Sequence, residues 1–472
     1  MNQLTIGEIA RGTEGKLICG EPYHVAGKVI IDSREAEKNA VFFALLGENQ
    51  DGHQYVPSAA EKGCGLLVVM TSWLQQQPQE AIDGLGCAVI AVEDTLLALQ
   101  KLAAWYLDQT HMTRIAVTGS VGKTTTRDMI YAGLKKAFRT GVSPKNYNSL
   151  TGLPLAILSL APDTEVAVLE LGIDKPGQMV ALARIARPDI AVITNVGVSH
   201  LEAMGTREAL CKEKMDVTAC FTETNTLIYN GEDDYLPTAA QGKPFAAVAC
   251  GAGETCLYRV TRVEDRGAAG IGVDIVCPEG TFHQELPFPG AHNGGNACLA
   301  LAACVVAGRK AKEALADMAD TAMTGNRLRV FQENGYTVID DSYNAAPASM
   351  CSAAVTLMHS EGKRHVAILG TMRELGADSD RMHAETGQFV AKQKPDLLIV
   401  IGEQARSMAE GARQTVEEQG LATQVLFFPQ KEDLYPRLSD LLAPGDTILV
   451  KASRTLYFEE LTAKILRKDG VS

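Results

Sequence analysis

The sequence predicts an α/β protein of three domains, and three observations carry that expectation. At 472 residues the chain is too long for a single hydrophobic core. Short apolar runs of strand length alternate with segments of helical spacing along most of it. A glycine loop, TGSVGKTTT (118–126), stands between a strand and a helix, the setting in which backbone N–H groups gather around an anion. The expected division is a small α/β domain over 1–110, a central P-loop mononucleotide-binding domain with a parallel sheet and β-hairpins over 111–326, and a Rossmann-like domain over 327–472.

In the first region VIIDSR (29–34), AVFFALLG (40–47) and GLLVV (65–69) read as strands, being short and apolar. LLALQKLAAWYLDQT (96–110) has helical spacing and leads into a further strand, RIAVT (114–118). Past the glycine loop, TTRDMIYAGLKKAF (125–138) is again helical in spacing. VAVLELG (166–172), DIAVITNVG (189–197) and NTLIYN (225–230) are apolar runs of the kind found in parallel sheets buried on both faces. Residues 251–290 are glycine-rich and alternate polar with apolar, which predicts hairpins, and HNGGNACLALAACVVAG (292–308) returns to helix. From Arg327 onward YTVIDD, HVAILG, DLLIVIG, QVLFF and DTILVK predict a five-stranded doubly wound sheet. No G-x-G-x-x-G fingerprint occurs there, so a dinucleotide cofactor is not expected.

Composition narrows the function classes. A formal charge of -13 argues against broad nucleic-acid binding, which needs clustered Lys and Arg. The 11 cysteines are odd in number, scattered and without a C-x-x-C pair, so they read as free thiols in a reducing compartment. MNQLTIGEIARGTEG has no basic-then-apolar signal pattern, and no apolar run approaches the ~20 residues that span a bilayer. A cytoplasmic monomer without membrane insertion is the expectation.

The glycine loop is shorter than the usual phosphate loop. Four residues normally separate the first glycine from the Gly-Lys-Ser/Thr step, whereas only Ser120 and Val121 lie between Gly119 and Gly122. Its context is nonetheless intact. The glycines let backbone amides turn inward, the following helix offers its positive end, Lys123 adds a charge, and the Thr124 hydroxyl can ligate Mg²⁺, with Thr125 next in the turn. Glu170 ends VAVLE at a strand's carboxyl end, where a carboxylate suits Mg²⁺, although a hydrogen-bonded strand-end glutamate is the commoner case. His200 follows DIAVITNVGVS in a similar position, where most histidines are structural. Lys214, in CKEKMD, reads by itself as a surface lysine of a helix.

TGSVGKTTT, NYNSLTGLPL (146–155), LELGIDKPGQM (169–179), NVGVSHLEAMGT (195–206), GAHNGGNA (290–297) and DDSYNAAPASM (340–350) occur in the order seen in the Mur ligases. The chain resembles that family from IDSR to KASR, nearly end to end, and the short T-G-x-x-G-K-T loop is the family's own form. The resemblance implies an ATP-dependent amino-acid or peptide ligase of peptidoglycan precursor synthesis. Within the family, IDSR…NAVFFALLGENQDGHQY (31–55) and DDSYNAAPASM resemble the branch that joins D-alanyl-D-alanine to UDP-N-acetylmuramoyl-tripeptide. The D-N-P-R-like motif of the branch adding the third amino acid is absent.

That resemblance implies ATP, the UDP-linked tripeptide and D-alanyl-D-alanine as substrates, two Mg²⁺ ions, and an acyl phosphate on the way to the amide. Lys123 would meet the phosphates, Thr124 and Glu170 one metal, and His200 the other. Lys214 matches the family lysine that takes up CO₂ as a carbamate facing the second metal, with Lys212 the neighbour a slipped alignment would select. His292 and Asn293 match the part that holds adenine, Asn296 lies one turn further, and Arg327 matches a junction arginine that reaches the phosphates. Asp341, Tyr343 and Asn344 would close over nucleotide and substrate. Asp32, Ser33 and Arg34 would meet the uridine diphosphate, and Asn148 and Ser149 the sugar and peptide. Without the resemblance, a D-S-R turn is as readily a capped loop as an anion site.

Three departures fall in the third region. Ala346 replaces an expected asparagine, Thr371 an expected aspartate, and Ala452 an expected glycine. They leave open another Mur-type ligase, a third-residue ligase or a folylpolyglutamate synthetase-like enzyme, and also a nucleotide-switched binding protein that no longer ligates.

Overall fold

The computed structural model describes residues 4–47, 49–144, 146–198, 201–322, 325 and 327–467. Three sheets follow one another along the chain, of five, nine and six strands.

In the first sheet the spatial order is Lys16–Cys19, Ala88–Val92, Leu66–Met70, Val41–Phe43, Val29–Ile30, parallel except for the first. VIIDSR is therefore strand only at its start. Asp32 accepts a hydrogen bond from the Arg34 backbone N–H, and this cap turns Ser33–Glu35 into a 3₁₀ turn. The helix Thr95–Asp108 is capped by Asp94 and buries Leu99, Leu102 and Ala103 against the sheet.

The central sheet places Thr113–Thr118 between Val166–Glu170 and Ile190–Ile193, with Thr140–Val142 at one edge and Thr226–Asn230 and Ala246–Gly251 beyond the other. All six run parallel. The hairpin region is not a separate layer. Cys250 and Gly251 pair with Tyr258 and Arg259, so Tyr258–Asp265, Ile271–Cys277 and Gly280–Leu286 prolong the same sheet. Chain order reverses around Thr113–Thr118, which makes its carboxyl end the crevice in which open α/β sheets bind ligands. The helices Lys123–Leu134 and His292–Val306 are buried along most of their length beside that crevice.

The third sheet has one strand more than expected. Arg329–Glu333 pairs antiparallel with Tyr336–Asp340 through a two-residue turn, Asn334-Gly335, with φ of 54° and 82°. Asn-Gly is the residue pair that such a positive-φ hairpin turn requires. The five expected strands form the parallel remainder, in the order Tyr336–Asp340, Asp446–Lys451, Arg364–Gly370, Leu397–Ile401, Gln424–Phe428.

Side chains lock this sheet's layer onto the central one. His359 Nδ1 lies 3.1 Å from Asp265 Oδ2, Ala268 N donates to Ser360 Oγ at 2.9 Å, and Ser352 Oγ meets His292 Nδ1 at 2.7 Å. Tyr343 donates its hydroxyl to Asn146 Oδ1 at 2.7 Å across the crevice. All 11 cysteines are unpaired. Among the described residues no helix is long and apolar enough to cross a membrane.

Candidate active site

Val117 pairs with Glu170 on one side and Val192 on the other, so the glycine loop leaves the sheet between two strand ends. Those ends hold it. Ser120 N donates to Asn195 O at 3.0 Å, Val121 N to Asn195 Oδ1 at 3.0 Å, and Gly197 N to Ser120 Oγ at 2.9 Å. Val121 O accepts from Thr194 Oγ1 at 2.6 Å and from Asn195 Nδ2 at 2.9 Å. A loop tied this way is shaped before a ligand arrives. Gly119 sits at φ 147°, and a Cβ there would come within 1.9 Å of Thr194 Oγ1. Gly119→Ala is therefore expected to weaken ADP binding by about ten- to a hundredfold, the equivalent of about 1–3 kcal/mol of backbone strain. Isothermal titration, with the melting temperature as a folding control, checks it.

Lys123 donates to its own loop carbonyls, Gly119 O at 2.8 Å and Ser120 O at 3.3 Å. Burial lowers the pKa of its ammonium, opposed by the Glu170 and Glu374 carboxylates and reinforced by Arg327. Thr124 donates to Glu170 Oε2 at 2.6 Å, and Asn148 Nδ2 donates to Glu170 Oε1 at 2.8 Å. Asn148 thus touches the carboxylate, while Ser149 caps the helix Gly152–Leu158 by accepting from Gly152 N at 3.1 Å.

The surface-lysine reading of Lys214 fails. Lys212 is exposed, but Lys214 is 1% exposed and lines the cleft beside the loop. Its neighbour Glu213 turns the other way and accepts from Gly177 N and Met179 N, each at 2.8 Å, capping the helix Gln178–Ala186. Burial first, and then the positive Lys123, hold the Lys214 amine well below its ordinary pKa range. His200 lies outside the described residues.

One cleft of about 350 Å³ gathers the loop residues 119–125, Glu170, Lys214, Asn148 and Ser149 from the central sheet. His292, Asn293 and Asn296 line it from the helix His292–Val306, and Arg327, Asp341, Tyr343 and Asn344 from the third layer. Asn293 is buried and accepts from Asn296 Nδ2 at 2.9 Å, while the Asn296 amide packs against Gly122. The Arg327 guanidinium stacks on the Tyr343 ring at 3.9 Å. Asp32, Ser33 and Arg34 are elsewhere, in the first domain. There Arg34 is bonded back to Asp32 at 2.6 Å and its side chain is 87% exposed. Those bonds hold the Asp32 carboxyl at about 2.

Three residues of the site and its supports escaped the sequence reading. Lys451, inside the quoted KASR, is buried, bonds Asp341 Oδ2 at 2.5 Å and Asn344 O at 2.9 Å, and so joins the strand Asp446–Lys451 to the DDSYN turn. Thr194 and Asn195, which hold the loop, both stood inside DIAVITNVG, which reads only as a strand. The three departures are each accommodated in the packing. Ala346 N finds Ser349 Oγ at 3.0 Å, a cap supplied from within the helix Pro347–His359, and Ala452 is fully buried. Thr371 is buried beside Gly402. Among the described residues no three His, Cys, Asp or Glu side chains cluster as a ready metal cage.

Three family descriptions match in chain order: Mur ligase family, catalytic domain (27–106), Mur ligase middle domain (117–304), and Mur ligase, glutamate ligase domain (326–454). The chain is 35% identical to the UDP-N-acetylmuramoyl-tripeptide–D-alanyl-D-alanine ligase of Bacillus subtilis, over 99% of each. Its fold is similar to MurF from Acinetobacter baumannii, with a TM-score of 0.88, 28% identity, and 99% and 100% of the two chains covered. It is also similar to MurF ligase from Thermotoga maritima in complex with ADP, with a TM-score of 0.79, 25% identity, and 93% and 96% covered. With the short loop, the carboxylate beside it and the closing third layer all in place, the chain belongs to the Mur ligase family, in its MurF-type branch.

Proposed function

We propose that this chain is an ATP-dependent ligase that adds D-alanyl-D-alanine to UDP-N-acetylmuramoyl-tripeptide in peptidoglycan precursor synthesis. The observation that carries the reading is the convergence of a phosphate loop, the Thr124–Glu170 pair and a buried lysine in one cleft closed by Arg327 and Tyr343. The relatives' full-length match supplies the choice of substrates.

Residues present fit a divalent cation bound together with nucleotide. Mg²⁺ is ordinarily held by one or two carboxylates plus phosphates and water, not by a protein cage, and Glu170 with Thr124 provides that partial set. The lysine fits a carbamate: a neutral, buried amine is the form that reacts with CO₂, and a bare ammonium beside Lys123 would repel a cation. Bound Mg²⁺ would neutralise the charge that otherwise keeps two anions apart. Thr124 and Glu170 would hold one ion, and the Lys214 carbamate with His200 a second.

The chain's own groups then position the reaction. Loop amides and Lys123 hold the outer phosphates, and Arg327 reaches them from the junction. His292, Asn293 and Asn296 hold the adenine side. A tripeptide carboxylate oxygen bonds to the γ-phosphorus as the bond to ADP breaks. The dipeptide's amine then bonds to the acyl carbon, phosphate leaves, and the amine loses a proton. Asp341, Tyr343 and Asn344 close the cleft over these groups and exclude water. Asn148 and Ser149 meet the sugar and peptide, and Asp32, Ser33 and Arg34 the uridine diphosphate. The enzyme works in this reading as a cytoplasmic monomer.

Phosphate release with ATP, the UDP-linked tripeptide and a panel of amines, followed by mass spectrometry of products, tests the proposal. Release confined to D-alanyl-D-alanine and a product heavier by that dipeptide are expected. Turnover with lysine or diaminopimelate instead, or nucleotide binding with no product, would overturn it.

A further inference from the structure

The guanidinium of Arg127 has no part in the scheme above, yet it is among the most deeply buried groups of the central domain. It lies one turn beyond Thr124 on the helix Lys123–Leu134 and is 1% exposed. Nη1 lies 3.3 Å from Glu170 Oε2, while Nε and Nη2 bond Asp128 Oδ1 at 3.0 and 2.6 Å. Glu170 does not need it for orientation. Thr124 fixes Oε2 and Asn148 fixes Oε1, at 2.6 and 2.8 Å, and the Glu170 N–H is anchored on Ser143 Oγ at 3.0 Å.

These neutral donors leave one thing for Arg127 to add, which is charge. A guanidinium stays protonated at any working pH, and away from water its field is weakly screened. Its positive end lies 3.3 Å from Glu170, with the balancing Asp128 carboxylate bonded to Nε and Nη2, so the pair turns a dipole on Glu170 that offsets part of the attraction it would offer a cation. Asp128 is bonded to the guanidinium and does not line the cleft, whereas Glu170, bonded to Thr124 of the loop helix, does.

We propose that Arg127 suppresses divalent-cation binding at Glu170 in the nucleotide-free enzyme, so that the metal loads only with the triphosphate. The proposal rests on the reading of Glu170 as the cation's carboxylate. The outer phosphates bring several negative charges to the loop and outweigh one guanidinium. Before they arrive, Glu170 is half of an ion pair, and its bond from Thr124 keeps the loop helix in register with the strand Val166–Glu170.

The test is Mn²⁺ binding to the full chain without nucleotide, read by the electron paramagnetic resonance of free Mn²⁺. R127Q/D128N removes both charges and keeps hydrogen-bonding groups. It is expected to bind Mn²⁺ at least tenfold more tightly than the wild type, and R127K, which keeps the charge, within about twofold of it. R127Q is the second variant should the double one fold poorly; because it also frees the Asp128 carboxylate, its gain supports the proposal only if Glu170→Gln abolishes it. Equal affinity of the wild type and the charge-free variants overturns the proposal, as does tight nucleotide-free binding by the wild type. Adding Glu170→Gln to the variants separates the two readings. A gain that survives it places the cation elsewhere and sinks the Glu170 assignment. Absence of any gain, with Glu170→Gln still weakening Mn²⁺ binding beside a nonhydrolysable ATP analogue, sinks only the role of Arg127.

Discussion

Lys214→Ala is expected to lower turnover about 10³-fold, the several kcal/mol that a catalytic cation contributes, while leaving ADP binding within a few-fold of the wild type. The side chain is buried in the cleft wall, and burial first and then Lys123 hold its amine well below the ordinary lysine pKa, which favours the neutral form. In the proposed carbamate it supplies oxygens to the second metal, and alanine supplies none. Because the truncation leaves a space of several methylene groups ending at the metal position, formate or acetate should restore part of the lost rate, and chloride should not. Bicarbonate-free buffer should inactivate the wild type reversibly and leave the variant unaffected. Lowering the pH should act in the same sense, since an amine that becomes protonated no longer takes up CO₂. ¹³C-bicarbonate labelling with detection of a carbamate carbon is the direct measurement. A wild-type enzyme that keeps full activity in rigorously CO₂-free buffer and shows no such signal would remove the carbamate from the scheme.

Much of this molecule was legible because its strands are apolar runs bounded by polar turns, a pattern that parallel sheets impose on any sequence. The missed strand, Arg329–Glu333, is an edge strand with mixed burial, so it lacks that apolar run. Its one signal was the Asn-Gly turn behind it, which lies in the sequence and specifies a hairpin. VIIDSR was read too long because a side-chain cap, not hydropathy, ends the strand. The phosphate loop was readable because glycine spacing is itself the geometry. The groups around it were not readable from local pattern, and only the family motif points to Lys214. Lys214 sits in a charged stretch, CKEKMD, whose local pattern says surface, and only the tertiary packing of that helix against the cleft buries it. Arg127, Asp128 and Lys451 are charged residues in ordinary helix and strand contexts. Arg127 does bond its neighbour Asp128, but its reach to Glu170 spans 43 positions and that of Lys451 to Asp341 spans 110, pairings that no local pattern encodes.

Lys123→Met is expected to cut turnover by about 10³-fold or more, by analogy with single cationic contacts on transferring phosphoryl groups, and to weaken ATP binding. Its ammonium now rests on two carbonyls of its own loop, at 2.8 and 3.3 Å. Incoming phosphate oxygens are better acceptors, so the group exchanges partners without having to be desolvated at that moment. Methionine keeps the stem and the packing but offers no donor. Stability should move the other way. Burial lowers the folded-state pKa below the ordinary lysine value, so the unfolded chain holds the proton more readily. That penalty is fully present below the lowered value and fades as pH rises toward about 10.4, the unfolded lysine pKa. Lys123→Met should therefore melt no lower than the wild type at neutral pH, with any excess in melting temperature shrinking as the pH is raised. Melting curves across that window, beside phosphate-release rates, separate the two effects. A variant that loses stability and activity together, with the stability loss constant in pH, would mean that Lys123 holds the empty loop together and that its contact with phosphate is secondary.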